Sequence, residues 1–394
     1  MLPVHVPCGQ PPIVAYLTHG KPVTSVFFLF RDAPQRRAAL DLEPGSPARY
    51  GLYGMDELIA RGHAVRHNLE RPDPAGWARV AGATLKRGLE AAGGYGGDFA
   101  TVLSSLHALG RADVVLSTVD TVGIPLVLLA RARAVRVPFV YVAIGLPERL
   151  ARLRSRRMER VYARALGSAS TILAYSDYET DAIRDWLRAR GSSVAVEFVP
   201  FGVDLSAFRP RDEPPGHDVV SVGADPHRDF ELLLAVARET PDATFHLVTT
   251  AERARSLGVL PPNVSAETDL PFDEMRRRLA GSRVVVLPVR ENSYSGGTTV
   301  LLQAMALAKP VVVTRTAAIA SGYGLVDGEN VRLVDPGDGG GLGRATAAVL
   351  RNEAHAAALG VRARTTVERE LGWERYVDRL ETALRQAAEH PRVS

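Results

Sequence analysis

Two glycines and two threonines, Gly296, Gly297, Thr298 and Thr299, open an apolar segment that runs from Val300 to Leu307. These residue types in this order suit an anion. Glycines have no Cβ to hold an anion off the backbone, threonines can cap a first helical turn while offering hydroxyls, and the free amides of a helix start favour negative charge. Arg228 stands in a second segment of the same kind, from Gly223 to Phe230. Its guanidinium can form paired hydrogen bonds with diphosphate oxygens, Gly223 lets the backbone pass close to a ligand, and Asp229 can cap the helix that follows. A nucleoside diphosphate is the ligand class these residues imply. The plainer alternatives are an ordinary crossover helix and, for Arg228, a surface charge beside a helix start.

Both segments need parallel strands to bring them to one crevice, and the sequence supplies them. Arg283 to Leu287 and Pro310 to Val313 are short apolar runs on either side of the Gly-Gly-Thr-Thr helix, and Asp218 to Val222 runs into Gly223. Thr244 to Val248 and Val264 to Ala266 complete a second-half sheet of nucleotide-binding, Rossmann-like type. The first half repeats the pattern, with strands expected at Ile13 to Leu17, Ala64 to Asn68, Val114 to Ser117, Phe139 to Ala143, Thr171 to Ala174 and Val194 to Val199. Helices are expected at Met55 to Arg61, Phe99 to Leu109 and about Val122 to Ala134, and Ser176 or Asp177 can cap another. The stretch 209–216, rich in proline and acid, reads as a linker. The expected organisation is α/β: one Rossmann-like domain at 1–208 and a second at 217–372, facing across a cleft.

At 394 residues and 46% hydrophobic content, the chain is long enough for two full cores. Cys8 is the single cysteine, so no internal disulfide forms. The first dozen residues lack a basic start followed by an apolar core, so no signal peptide is expected. The apolar run Ile124 to Ala130 is far short of the roughly 20 residues that span a bilayer. A cytoplasmic protein is expected, with peripheral contact at the inner membrane face as the further option.

The net charge is +4, and the lysines are Lys21, Lys86 and Lys309, so arginine carries nearly all the positive charge. Arg149 to Arg164 reads as a basic helix whose Leu150, Leu153, Val161 and Leu166 form a narrow buried stripe. Its basic face is either a contact for a membrane surface or anionic acceptor, or simply a solvated face. Nucleic acid is disfavoured, because no aromatic interleaving or binding motif accompanies the charge. No metal-ligand cluster or Asp-x-Asp stands out among the scattered histidines.

The segment from Ser293 to Thr314 resembles the donor-binding domain of GT-B glycosyltransferases, most closely the retaining group called glycosyltransferase family 4. The family pattern has a Glu, a glycine-rich turn, a second Glu eight positions on, and Ala-Met-Ala before a Pro-Val-Val strand. Here Ser295 and Gln303 occupy the two acid positions, and Glu291 could supply a displaced carboxylate. Phe198 to Pro210 resembles the segment before the family's interdomain linker, with Phe201 in place of its Asn, and Val326 to Asp338 resembles its hairpin, with Val331 in place of its Gly. The resemblance implies that Arg228 occupies the basic phosphate position and that the base lies near Thr249, Thr250, Leu270 and Pro271. It implies that the domain at 1–208 binds the acceptor, that the domain at 217–372 binds a nucleotide sugar, and that a closing helix within 373–394 packs back on the first domain.

It also implies transfer of a sugar from a UDP- or GDP-type donor to an acceptor hydroxyl, on a lipid-linked molecule or small glycoconjugate, with retention and without cofactor or metal. Arg228 and the amides of Gly296, Gly297 and Thr298 would stabilise charge on the departing β-phosphate. On the acceptor side, Gly20, Gly145 and Glu148 are candidates, Gly145 or Glu148 standing where the family often keeps a histidine. Another possibility is an inverting enzyme in which His19 is the general base, supported by Asp120. A nucleotide-sugar epimerase and a non-catalytic sugar-nucleotide-binding protein complete the alternatives.

Overall fold

Short runs rich in valine, isoleucine and phenylalanine, apolar on both faces, can form strands only where both faces are covered. In the computed structural model, which describes residues 24–70, 73–211, 213–214, 216–294 and 296–389, they build two six-stranded sheets. The first contains β1 (Ser25–Leu29), β2 (Ala64–His67), β3 (Val114–Thr118), β4 (Phe139–Val142), β5 (Thr171–Ala174) and β6 (Ala195–Phe198) in the order β2-β1-β3-β4-β5-β6. The second contains β7 (His217–Val222), β8 (Phe245–Thr249), β9 (Val264–Thr268), β10 (Ser282–Leu287), β11 (Val311–Thr314) and β12 (Arg332–Val334) in the order β12-β11-β10-β7-β8-β9. Every pairing is parallel, so the connections are crossovers and the strand ends that carry ligand-binding loops lie on one side of each sheet. This is the GT-B fold.

Three features depart from the sequence expectations. The first strand of the first sheet is Ser25–Leu29, whereas Ile13 to Leu17 lies outside the described residues. The loop after that strand is therefore Phe30 to Ala33, which separates it from His19 in sequence. The segment expected as a hairpin instead turns through Asp327 to Val331 and enters β12, a parallel edge strand beside β11. The basic segment is two helices, Leu146–Ala151 and Arg156–Leu166, because the Ser155 side chain accepts the Met158 amide and starts a new helix. That break turns the second helix, so Val161 is exposed while Met158, Tyr162, Ala165 and Leu166 are buried.

The two halves are joined at Phe201 to Val203, where the chain passes the start of the last helix, Trp373–Glu389. Val203 donates to the Leu371 carbonyl at 2.9 Å and Trp373 donates back to Val203 at 2.9 Å. A Cβ on Gly202 would come within 2.9 Å of both Trp373 Cα and Tyr376 Cβ, so the crossing is close. The last helix then lays Tyr376, Val377, Leu380 and Leu384 on the first sheet, against Val26, Phe28, Leu116 and Val140. The helix thus crosses back as expected. Leu380 is fully buried in this contact, and Leu380→Ala is expected to destabilise the protein by about 2–4 kcal/mol in chemical denaturation.

Candidate donor site in the interdomain cleft

The strand β7 ends in Gly223, whose amide donates to Val248 and whose carbonyl accepts from Thr249 Oγ1 at 2.7 Å. From this anchored point the chain turns, and the backbone of Arg228 forms an isolated bridge with Val289 after β10. Arg253 holds the turn from outside through the Arg228 carbonyl at 3.0 Å, and Asp229 caps the next helix, Phe230–Glu239, through the Leu232 amide. The Arg228 side chain is consequently driven inward and is 1% exposed.

Glycine is required on both sides of that guanidinium. A Cβ on Gly223 would approach its Nε to 2.4 Å, and a Cβ on Gly297 would approach its Nη1 to 3.0 Å. Gly297 also has φ +86°, a left-handed conformation that suits glycine, and it forms the N-cap of the helix Thr298–Ala306 without any side-chain cap. The expected phosphate-binding arginine and helix start therefore meet. Among the described residues, Arg228 Nε and Nη1 and Thr298 Oγ1 are buried and have no hydrogen-bond partner. Burial lowers the Arg228 pKa to about 10, partly opposed by Asp225, so the guanidinium remains charged at neutral pH.

Gly223, Arg228, Gly296, Gly297, Thr298 and Thr299 line one cleft with about 870 Å³ of empty space, whose other wall includes Tyr50, Tyr53, Ile144, Tyr175 and Phe201 of the first half. Gln303 follows one turn after Thr299 and lines an adjoining cavity that also touches Tyr50 and Phe201. Its side chain is buried and its Oε1 has no partner. Ser295, His19 and Gly20 lie outside the described residues.

Several expected roles change. Thr298 and Thr299 occupy the first helical turn and do not cap it, because Gly297 takes the cap position. The Gly296 amide is already used, donating to the Tyr294 carbonyl at 2.7 Å, so the amides available at this start begin at Gly297. Glu291 does not supply the displaced carboxylate: it accepts the Ala317 amide at 3.2 Å, at the start of the short helix Ala317–Ala320. Asp120 is fully buried and accepts from the Tyr141 hydroxyl at 2.6 Å, the Ile144 amide at 3.1 Å and Arg149 Nε at 2.7 Å, while its expected partner His19 lies outside the described residues. Glu148 bridges the halves by accepting the Ser293 amide at 3.0 Å. Arg149, expected on the basic face, instead turns inward to Asp120 and lies over the Tyr95 ring.

A connected trio escaped the sequence reading. Asp225 Oδ1 accepts the His227 amide at 2.7 Å, Asp225 Oδ2 accepts the Tyr294 hydroxyl at 2.8 Å, and His227 Nδ1 lies 2.9 Å from the same hydroxyl. Burial and the Asp225 carboxylate push the Tyr294 phenol well up, so it stays protonated as the donor. The available signal was the Asp-Pro turn directly after Gly223, which forces the chain to double back beside the glycine.

Residues 218–352 match the family model for group 1 glycosyl transferases. No curated protein matches the chain by sequence. Solved structures share the whole fold. Sucrose-phosphate synthase from Thermosynechococcus elongatus is 18% identical with a TM-score of 0.68, covering 92% of this chain and 98% of its own. HepE from Anabaena, in complex with UDP and glucose, is 15% identical with a TM-score of 0.63, covering 92% and 99%. The trehalose-6-phosphate synthase OtsA is 12% identical with a TM-score of 0.64, covering 92% and 99%. Both lobes of the GT-B architecture are therefore present.

The floor beneath Gly145 carries a pH-sensitive group. Glu179 is fully buried, Ser176 caps its helix Asp177–Arg188, and its Oε1 accepts the Gly145 amide at 2.9 Å. Burial raises its pKa from 4.5 to about 8; the Gly145 amide partly opposes this and Asp120 adds to it. A raised carboxylate pKa means that the folded state holds a proton the unfolded chain has lost. The stability this adds is complete below pH 4.5 and is lost as pH rises to about 8. Glu179→Gln is expected to flatten that decline and raise the melting temperature at pH 9 by a few degrees, read from thermal unfolding across pH.

Proposed function

We propose that this protein transfers a glycosyl residue from a nucleoside-diphosphate sugar to an acceptor hydroxyl, with retention and without a metal. The observation that carries this reading is Arg228: a charged guanidinium, buried and with Nε and Nη1 unpaired, beside an uncapped helix start. Such a site suits a diphosphate, whose charge grows as the bond to the sugar breaks. The positive charge usually asked of a metal would come from Arg228. A uridine nucleotide is the favoured donor base, supported by the UDP and UDP-glucose complexes of HepE from Anabaena. Retention is favoured because Asp120 is fully buried and already accepts from three donors, which makes the departing phosphate the better acceptor for the hydroxyl proton.

Donor turnover tests the reading. With UDP-glucose and a panel of sugar alcohols and phosphosugars, proton NMR should show a glycoside that keeps the donor's anomeric configuration. An inverted product would restore the base mechanism, isomerisation of the free donor would indicate an epimerase, and binding without turnover a silent binder. Arg228→Ala should weaken UDP binding about 10- to 100-fold by calorimetry, and an unchanged affinity would remove the assignment.

The first half is proposed to meet an anionic surface, as at the cytoplasmic face of a membrane that holds its acceptor. Arg156, Arg157 and Arg160 are exposed on one helix, while Trp77 and Val80 are 60% and 71% exposed on the helix Gly76–Ala91. No helix of the described residues is long and apolar enough to cross a membrane, so contact would be peripheral. Sedimentation with vesicles containing phosphatidylglycerol should show binding that falls at least tenfold in Arg156→Glu/Arg157→Glu/Arg160→Glu; no binding at low salt would refute it.

A further inference from the structure

Beyond the nucleotide, the cleft contains a feature that selects the sugar. We infer that Asp225 is a specificity-determining residue that accepts a hydrogen bond from a hydroxyl of the donor sugar, an inference resting on the nucleotide-sugar reading above. Among the described residues lining the cleft, Asp225 is the one carboxylate. It sits against the same turn as Arg228. A Cβ on Gly296 would lie 3.3 Å from Asp225 Oδ2, and a Cβ on the next residue, Gly297, would lie 3.0 Å from Arg228 Nη1. Whatever these two charges bind must therefore be adjacent parts of one molecule.

Their signs assign the parts. The guanidinium takes the phosphate, whereas a carboxylate repels phosphate and attracts hydroxyl donors. Asp225 acts on Arg228 through space, yet Arg228 Nε and Nη1 keep no partner. The carboxylate is thus not consumed as the counter-ion of the arginine. Its two oxygens offer about four acceptor positions, and the His227 amide and the Tyr294 hydroxyl occupy two of them. Its side chain remains 24% exposed, so the remaining positions face the cleft.

The trio also fixes where the carboxylate points. Tyr294 donates to Asp225, so His227 Nδ1 carries the proton that reaches the Tyr294 oxygen. Tyr294 is in turn held against the first half, where a Cβ on Gly145 would lie 3.7 Å from its ring. An acceptor locked on two sides in this way distinguishes a hydroxyl by position, because a ligand lacking it leaves a desolvated carboxylate without its partner.

Binding of UDP and UDP-glucose, with monodeoxy UDP-glucoses alongside, separates this from the parent reading. Asp225→Asn should leave UDP affinity within about twofold and weaken UDP-glucose about tenfold. In the wild type one deoxy analogue should bind about tenfold more weakly than UDP-glucose, and that difference should vanish in Asp225→Asn. Tyr294→Phe, which keeps the charge but releases the carboxylate, should show the same selective loss at about threefold and serves if Asp225→Asn does not fold. Equal losses for UDP and UDP-glucose, or no loss for either, would overturn the role of Asp225 alone. Failure of the wild type to bind UDP, with GDP and GDP-mannose also silent, would overturn the nucleotide-sugar reading and this one with it.

Discussion

A charged guanidinium held away from water, with two of its nitrogens lacking a hydrogen-bond partner among the described residues, is the constraint around which the second domain is organised. Removing a cation from water costs several kcal/mol unless hydrogen bonds or an opposite charge compensate. Arg228 Nε and Nη1 have no hydrogen-bond partner among the described residues and Asp225 offsets the cost only in part, so the surrounding structure must hold the side chain in place. Gly223 is pinned by Val248 and Thr249, the Arg228 backbone bridges to Val289, and Arg253 closes the outside of the turn. Both neighbours of the side chain are glycines because a methyl group on either would displace a guanidinium nitrogen.

The same requirement sets how the halves meet. A cleft on one lobe is open to water until the other lobe covers it, and the junction here is closely packed. Phe201 lies at its centre, with ring contacts to Tyr175 at 5.3 Å, Tyr376 at 5.1 Å and Trp373 at 5.6 Å. Tyr323 crosses from the second lobe, accepting the Phe201 amide and donating to the Tyr175 carbonyl at 2.6 Å. The aromatic residue in place of an asparagine thus converts a polar turn into a packed hinge. Tyr175 and Phe201 both continue into the cleft wall, so the packing that joins the lobes also shapes the site.

Much of this was legible because parallel strands buried on both faces leave continuous apolar runs; Thr171–Ala174 and the helix Phe99–Leu109 fall at their expected limits. Ser25–Leu29 was passed over because an earlier apolar run, Ile13 to Leu17, competed for the first-strand position, and sequence periodicity cannot rank two such runs. The convergence of Arg228 with Gly297 was readable because both follow strand ends that a parallel sheet brings to one side. Partner choice among side chains was not. Glu291 and Asp225 look equally able to offer a carboxylate, but Glu291 is claimed by the Ala317 amide while the Asp-Pro turn returns Asp225 to the glycines. Such competition is decided by three-dimensional proximity, which no local spacing encodes.

The neutral residue at Gln303 changes the electrostatics of the site more than its hydrogen bonding. An amide can still donate to and accept from a sugar or ribose hydroxyl, but it adds no field, whereas a carboxylate there would lie in the same poorly screened interior as Arg228. Under the proposed function, Asp225, the one carboxylate among the described residues lining the cleft, opposes the guanidinium from one direction only, the side of the sugar. Its positive potential is then directed toward the glycine turn and the helix start, where phosphate charge develops. A second acid would hold a hydroxyl more tightly in the ground state, and it would also weaken that potential in the transition state. Stabilising a departing phosphate and gripping a sugar thus make opposing demands on the same few ångströms, and in the proposed site a single carboxylate, Asp225, would meet both by lying on the sugar side.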